Sequence, residues 1–149
     1  MFRGNYPTRM DDKGRLKVPA DFKHEIEERF TSSNGKFYVT SRDGKMAEVY
    51  PMEEWERIEA KLDQLPTTNP AVRKFLDATN YYGQVVEMDG QGRLLMPGLL
   101  REAANLQGEV AVVGNLRRLL VRNMEAYTKK VVENPVTDED NKALSELGI

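Results

Sequence analysis

Two nine-residue segments of this chain carry an acid, a glycine and an arginine in one fixed spacing. They are Asp11-Asp12-Lys13-Gly14-Arg15-Leu16-Lys17-Val18-Pro19 and Asp89-Gly90-Gln91-Gly92-Arg93-Leu94-Leu95-Met96-Pro97. The acid and the glycine have a local reason to be there. An Asp side chain accepts hydrogen bonds from backbone amides just ahead of it, and Gly takes the left-handed conformation a tight turn needs. The arginines have chemistry to spare. A guanidinium is a planar fork of donors that matches phosphates and guanine edges, which a lysine cannot copy. Beside a turn at the start of a strand, Arg15 and Arg93 project from the tip of a two-stranded ribbon, a shape that fits the DNA major groove. Lys13 on the turn and Lys17 on the following strand add phosphate contacts, which bring affinity and salt dependence but little base information. The plainer alternative is that each arginine only pairs with its aspartate to hold the turn. These residues by themselves leave both readings open.

The second copy is weaker in charge. Gln91 stands where the first copy has Lys13, Leu95 where it has Lys17, and Glu87 where it has Arg9, so Arg93 is the only cation between Val86 and Pro97. If both copies contact a polyanion, the first is expected to contribute more. The later cations Arg117, Arg118 and Arg122 flank another turn and read as solvated. The single histidine, His24, sits between Lys23 and Glu25 and reads as a solvent-facing helix residue. No cysteine or second histidine exists to complete a metal site with it. No nucleophile elbow, phosphate-binding loop or dinucleotide fingerprint occurs, and Gly90-Gln91-Gly92 lacks the third glycine of such a fingerprint. The expectation is a protein that is not an enzyme and takes no cofactor and no small-molecule substrate.

The elements that must position the motifs are legible from period and punctuation. Strands are expected at Tyr6 to Met10 and Arg15 to Val18, then a helix from Ala20 to Phe30 with Phe22, Ile26 and Phe30 on one face. Phe37 to Thr40 and Ala47 to Tyr50 form a hairpin around Arg42-Asp43-Gly44-Lys45. Pro51 opens a helix whose Met52, Trp55, Ile58, Leu62 and Leu65 make an apolar stripe, with Glu53, Glu54, Glu56 and Glu59 as its solvated face. Asn69 caps a further helix, Ala71 to Tyr81, with Pro70 at its first position. The order then repeats: strand Gln84 to Met88, motif, a short helix over Leu99 to Asn105, strands at Val110 to Val113 and Leu119 to Val121. Asn123 caps a last helix with Met124, Tyr127 and Val131 inward, and a partly ordered acidic tail follows Asn134.

The repeat extends past the motif, because Pro51-Met52-Glu53-Glu54-Trp55 matches Asn123-Met124-Glu125-Ala126-Tyr127. Asp11 and Asp89 are 78 positions apart and Met52 and Met124 are 72 apart, which places about six extra residues in the first copy, near Thr31-Ser32-Ser33-Asn34-Gly35. Units of this size bury too little surface to be stable alone, so the copies are expected to associate with one another, with other chains, or both. The boundaries that follow are 5–54 for the first unit, 55–82 for a helical linker, 83–126 for the second unit and 127–149 for the last helix and tail.

The net charge of −2 conceals an asymmetry. Residues 1–19 set Arg3, Arg9, Lys13, Arg15 and Lys17 against Asp11 and Asp12, a local balance of +3, while the tail from Val131 is acidic at −4. A polyanion responds to the field within about 8–10 Å, so the basic N-terminal segment is compatible with DNA at one face. No apolar run is long enough for a signal peptide or a membrane span. A soluble, cytoplasmic chain with no membrane partner is expected.

Met1-Phe2-Arg3-Gly4, the paired Asp11/Arg15 and Asp89/Arg93, Tyr50-Pro51-Met52-Glu53-Glu54-Trp55, and Met88 to Leu95 together resemble the MraZ family, regulators associated with the bacterial division and cell-wall gene cluster. The resemblance covers Met1 to about Glu133. It implies an α+β fold of tandem AbrB-like swapped-hairpin units that interleave into a pseudo-dimeric β-barrel with flanking helices. It also implies ring homo-oligomers, a nucleoid-associated location, and sequence-specific binding of double-stranded DNA at repeated promoter boxes, usually repressing the protein's own operon. The family's motif maps DNA contact onto Asp11, Arg15, Asp89 and Arg93, and the basic residues Arg3, Lys13 and Lys17 are placed in support. The competing reading is an oligomeric protein-interaction scaffold with purely structural arginines.

Overall fold

The computed structural model describes residues 1–149. The first copy runs β1 (Asn5–Arg9), β2 (Arg15–Lys17), α1 (Ala20–Arg29), a 3-10 turn, β3 (Lys36–Thr40), β4 (Ala47–Pro51) and α2 (Met52–Asp63). Helix α3 (Pro70–Tyr81) leads into β5 (Gln84–Glu87), β6 (Arg93–Leu95), α4 (Gly98–Ala103), β7 (Glu109–Asn115), β8 (Arg118–Asn123), α5 (Met124–Glu133) and α6 (Asp138–Glu146). The caps expected at Asn69 and Asn123 are present: Asn69 accepts from the Ala71 amide at 2.9 Å and Asn123 from the Ala126 amide at 3.0 Å.

Each copy gives its first strand to the other. Strand β1 pairs antiparallel with β7, Asn5 opposite Val113 and Arg9 opposite Glu109, and β5 pairs with β3, Lys36 opposite Glu87. The two hairpins β3/β4 and β7/β8 meet through β4 and β8, giving a six-stranded sheet of order β1-β7-β8-β4-β3-β5. Strands β2 and β6 pair only with each other, as a separate ribbon. The α+β class therefore holds, while the strand pairing does not close a barrel. The sheet ends at β1 and β5, and the two strands that might have continued it form the ribbon instead.

Alternation explains which side of each strand is dry. Leu16 and Leu94 point from the ribbon into one core cluster of 21 residues that draws on both copies, with Phe37, Val39, Val110, Val112 and Val121 from the sheet. Phe22 of α1 packs edge-on to Phe2 at 5.6 Å and to Tyr6 at 4.8 Å between ring centroids. Burying each such side chain is worth about 1.5–3 kcal/mol.

On the other side of the sheet, Trp55 of α2 stacks on Tyr38 at 4.5 Å and on Phe75 of α3 at 6.1 Å. Tyr38 Oη and Thr40 Oγ1 both donate to the Thr79 carbonyl, at 2.9 and 2.7 Å, which pins the end of α3 to the sheet. A Cβ at Gly83 would collide with that same carbonyl and with Tyr38, so only glycine lets the chain turn there into β5. The linker is thus a packed helical hairpin.

Three sequence expectations are corrected here. Glu54 is not on a solvated face: it is buried, because Arg117 reaches it from the far hairpin. Leu65 and Val131 do not face inward but are exposed: Leu65 lies beyond the end of α2 at Asp63, and Val131 lies in the last turn of α5. Within the acidic tail, Asp138–Glu146 form helix α6. Thr137 and Asp140 cap each other reciprocally at the start of α6, the arrangement that satisfies two otherwise unpaired amides.

Candidate nucleic-acid interface

Both motif turns are built identically from one carboxylate. Asp11 Oδ1 accepts the amides of Lys13 (2.9 Å) and Arg15 (2.8 Å), and its Oδ2 accepts Arg15 Nε at 2.7 Å. Asp89 repeats this with the amides of Gln91 and Arg93, both at 2.9 Å, and with Arg93 Nε at 3.0 Å. The amide of Arg15 beside Asp11, and that of Arg93 beside Asp89, are the first cause holding these carboxyls below the ordinary value of 3.8. The acids therefore stay ionised, and each fixes its arginine through Nε. In this geometry Arg15 makes no hydrogen bond through its two terminal nitrogens, the pair that forms a bidentate fork toward a phosphate or a guanine edge.

The ribbon expected from each motif is not the one that forms. Strand β1 turns away to β7, and β2 pairs with β6, so the two motifs lie side by side: Arg15 faces Leu95, Leu16 faces Leu94, and Lys17 faces Arg93. The ladder is extended reciprocally at its ends, the Val18 amide donating to Gly92 at 2.9 Å and the Met96 amide to Gly14 at 3.0 Å. With Leu16 and Leu94 buried, the outward face of this ribbon carries Arg15, Lys17, Arg93 and the exposed Leu95. A near-neutral second ribbon does not exist, because Arg93 shares a face with the cations of the first copy. Cross-strand neighbours of like charge such as Lys17 and Arg93 repel at about 5 Å, a cost that an incoming polyanion would remove.

Lys13 is exposed on the first turn, as expected. Arg3 is not brought to the ribbon. It lies at the opposite end of β1 from the Asp11 turn, where it adds to the field on Glu25, a carboxyl held down first by its hydrogen bond from the N-terminal amine. The cations of the second hairpin are partly engaged: Arg117 is exposed, as expected, while Arg118 is largely covered. Arg118 Nη1 donates to the buried Glu48 and to Tyr50 Oη at 2.6 Å, and Arg117 Nη1 donates to Glu54 at 3.2 Å.

Two basic residues escaped the sequence reading. Arg101 of α4 lies against Gly14 in the first turn, and Lys23 of α1 lies against Gly92 in the second, within 3.6 Å of where a Cβ would be. Lys23 and Arg101 are separated by 78 positions, the offset of the motif itself, which was the available signal. Each turn is thus backed by a cation from the other copy's helix. A cleft lined by Arg9, Asp11, Gly14, Arg101 and Gly108 flanks the first turn.

Comparison with known proteins meets this geometry with a family match in two stretches, residues 1–78 and 83–146, to the family described as "MraZ protein, putative antitoxin-like". The chain belongs to the MraZ family. It is 64% identical over 149 residues to the transcriptional regulator MraZ of Koribacter versatilis, and 56% identical over 149 residues to that of Acidobacterium capsulatum, with 100% of each chain covered in both cases. The MraZ of Halothermothrix orenii is 38% identical over 152 residues, again with complete coverage. The two matched stretches divide the chain as the internal repeat does, each beginning ahead of a motif and reaching into the second of a pair of helices. No helix is long and apolar enough to cross a membrane.

Proposed function

We propose that this MraZ-family chain is a transcriptional regulator that binds double-stranded DNA, with the composite β2/β6 ribbon as its reading element. The observation that carries the proposal is the register of that ribbon, which sets Arg15, Lys17 and Arg93 from two copies on one outward face, the arginines gripped from behind by Asp11 and Asp89. Lys13 supplies a further phosphate contact at the turn, and Lys23 and Arg101 add positive potential behind it. The regulators named among its relatives support the same reading.

The finer picture extends this. The exchange of β1 and β5 between copies supports tandem AbrB-like swapped-hairpin units. One such ribbon per chain is a modest DNA binder, and several held in a ring gain by multivalency on repeated promoter boxes. Autorepression of the division and cell-wall operon, from a nucleoid-associated cytoplasmic protein, completes the proposal.

The test is selection of random duplex DNA by the purified protein with Arg15→Ala in parallel. Enrichment of a spaced repeat by the wild-type protein alone is expected. No enrichment by either would sink the reading. The scaffold alternative draws on one observation, that every Asp11–Arg15 contact is one a structural turn would make. Under that alternative Arg15→Ala melts early and binds DNA like wild type.

A further inference from the structure

The two copies end differently. In the first, α3 folds back onto α2 through Phe75, which stacks on Trp55. In the second, Tyr127 of α5 occupies the place of Trp55, but α6 has no buried residue, and only Leu144 on it is even half-buried. Counting from the caps Asn69 and Thr137, the residue matching Phe75 is Ala143, so the aromatic that anchors the first helical pair is missing from the second.

What α3 covers in one copy is left open in the other. A groove lined by Asn5, Tyr127, Thr128, Val131 and Val132 runs along α5. Five of the twelve exposed large apolar residues of the chain lie in its last nineteen: Val131, Val132, Val136, Leu147 and Ile149. Of these, Val131 and Val132 line the groove itself, exposed apolar surface of the kind that an interface covers. Charge agrees with it. The first turn of α6 holds Asp138, Glu139 and Asp140. Arg3, two residues before groove-lining Asn5, and Lys129 and Lys130, next to groove-lining Thr128, have no ion-pair partner in the chain.

We propose that α6 of one chain docks into the α5 groove of a second copy of this chain, its Leu144, Leu147 and Ile149 against Tyr127, Val131 and Val132 and its acidic first turn beside Arg3, Lys129 and Lys130. The role of Arg3 is then assembly and not DNA contact. Reciprocal donation of α6 stops at a dimer, while head-to-tail donation builds larger assemblies, closed rings where the rotation between neighbours closes. The contact stands on its own observations, whether or not the ribbon reads DNA.

The chain has no cysteine, so a full-length Val132→Cys/Leu147→Cys variant reports the contact directly under mild oxidation. Covalent multiples of the 17.0 kDa chain on a non-reducing gel are expected. A single band at one chain mass, from either an internal disulfide or none, would overturn the proposal, as would multiples formed equally by the two single-cysteine variants. Sedimentation of Val131→Asp adds a second readout, because Val131 is half exposed and the fold does not depend on it. At least a twofold drop in assembled mass, relieved by no change in the circular dichroism spectrum, is expected. An unchanged mass contradicts the docking.

Discussion

Asp11 stands 4.0 Å from Nη1 of Arg93, across the ribbon from its own copy, while it holds Arg15 at 2.7 Å. No reciprocal ion pair joins Asp89 to Arg15, so the first carboxylate touches the motif arginines of both copies and the second touches only one. Asp11→Ala is therefore expected to weaken specific DNA binding more than Asp89→Ala. Titration of both variants against the selected duplex by fluorescence anisotropy checks this, and equal losses would refute the asymmetry.

Arg15→Ala and Arg93→Ala remove donors from the same face of one ribbon, so both should lose affinity for the specific duplex. A bidentate base contact is worth about 1–3 kcal/mol, which corresponds to roughly 5- to 150-fold in Kd. Lys17→Ala should instead weaken all duplexes alike and reduce the slope of log K against log salt by about 1. A sequence-dependent effect of Lys17→Ala would assign it to base reading.

Acid should act on the turns. Asp11 and Asp89 have folded-state values depressed below 3.8, so the unfolded chain takes up their protons first. The stability they contribute is present above that ordinary value and is lost as pH falls through the lower folded one. Urea unfolding of an Asp11→Asn/Asp89→Asn variant should therefore show a flatter decline below about pH 4 than wild type, while an unaltered decline would locate the acid sensitivity elsewhere.

Gly14 and Gly90 make a matched pair of substitutions. Gly14 sits at φ +77 with the Arg101 guanidinium where its Cβ would go, whereas Gly90 has open space and a negative φ. Gly14→Ala should cost about 1–2 kcal/mol from backbone strain alone, and Gly90→Ala close to nothing. Urea midpoints measure both, and the pair should be compared at fixed slope.

Arg118→Met should be the most damaging change away from the ribbon. It leaves Glu48, 2% exposed, with only Arg42 at 3.5 Å to balance it. Breaking a buried pair from one side costs about 3–5 kcal/mol. A Glu48→Gln/Arg118→Met double variant should recover part of that loss, and thermal unfolding of the wild type, the two single variants and the double variant tests the coupling.

The local structure of this chain is written in its local sequence. Asp11 and Gly14 specify a turn, Asn69 and Asn123 specify caps, and the alternation at Arg15-Leu16-Lys17-Val18 specifies a strand with one dry face. Partner choice is not local. Nothing in β2 distinguishes β1 from β6 as its neighbour, since either pairing buries Leu16. The sequence reading therefore put each Arg on its own ribbon, although the repeat made clear that the copies must associate. The same limit hid Glu54, whose burial depends on Arg117 arriving from 63 residues away. Lys23 and Arg101 were within reach of the sequence, since the 78-residue offset that relates the motifs relates them too. So was α6, because Thr137 and Asp140 carry a capping pattern that a reading of the tail by charge alone passed over.

The exchange of first strands also sets an order of events during synthesis. Strand β1 is among the first segments to leave the ribosome, yet its partner β7 begins at Glu109, and β2 waits for β6 at Arg93. Until about two-thirds of the chain is made, β1 and the dry face of Leu16 have no place to go. Pairings so distant in sequence are slow to close and leave an unpaired strand edge exposed meanwhile. Pro7 in the middle of β1 and the charge of Arg9 at its end are suited to that interval, because a proline and a cation make a poor template for a stray strand. A ribosome-bound nascent chain halted before Glu109 should therefore hold β1 in a protease-sensitive state that disappears once β7 has emerged.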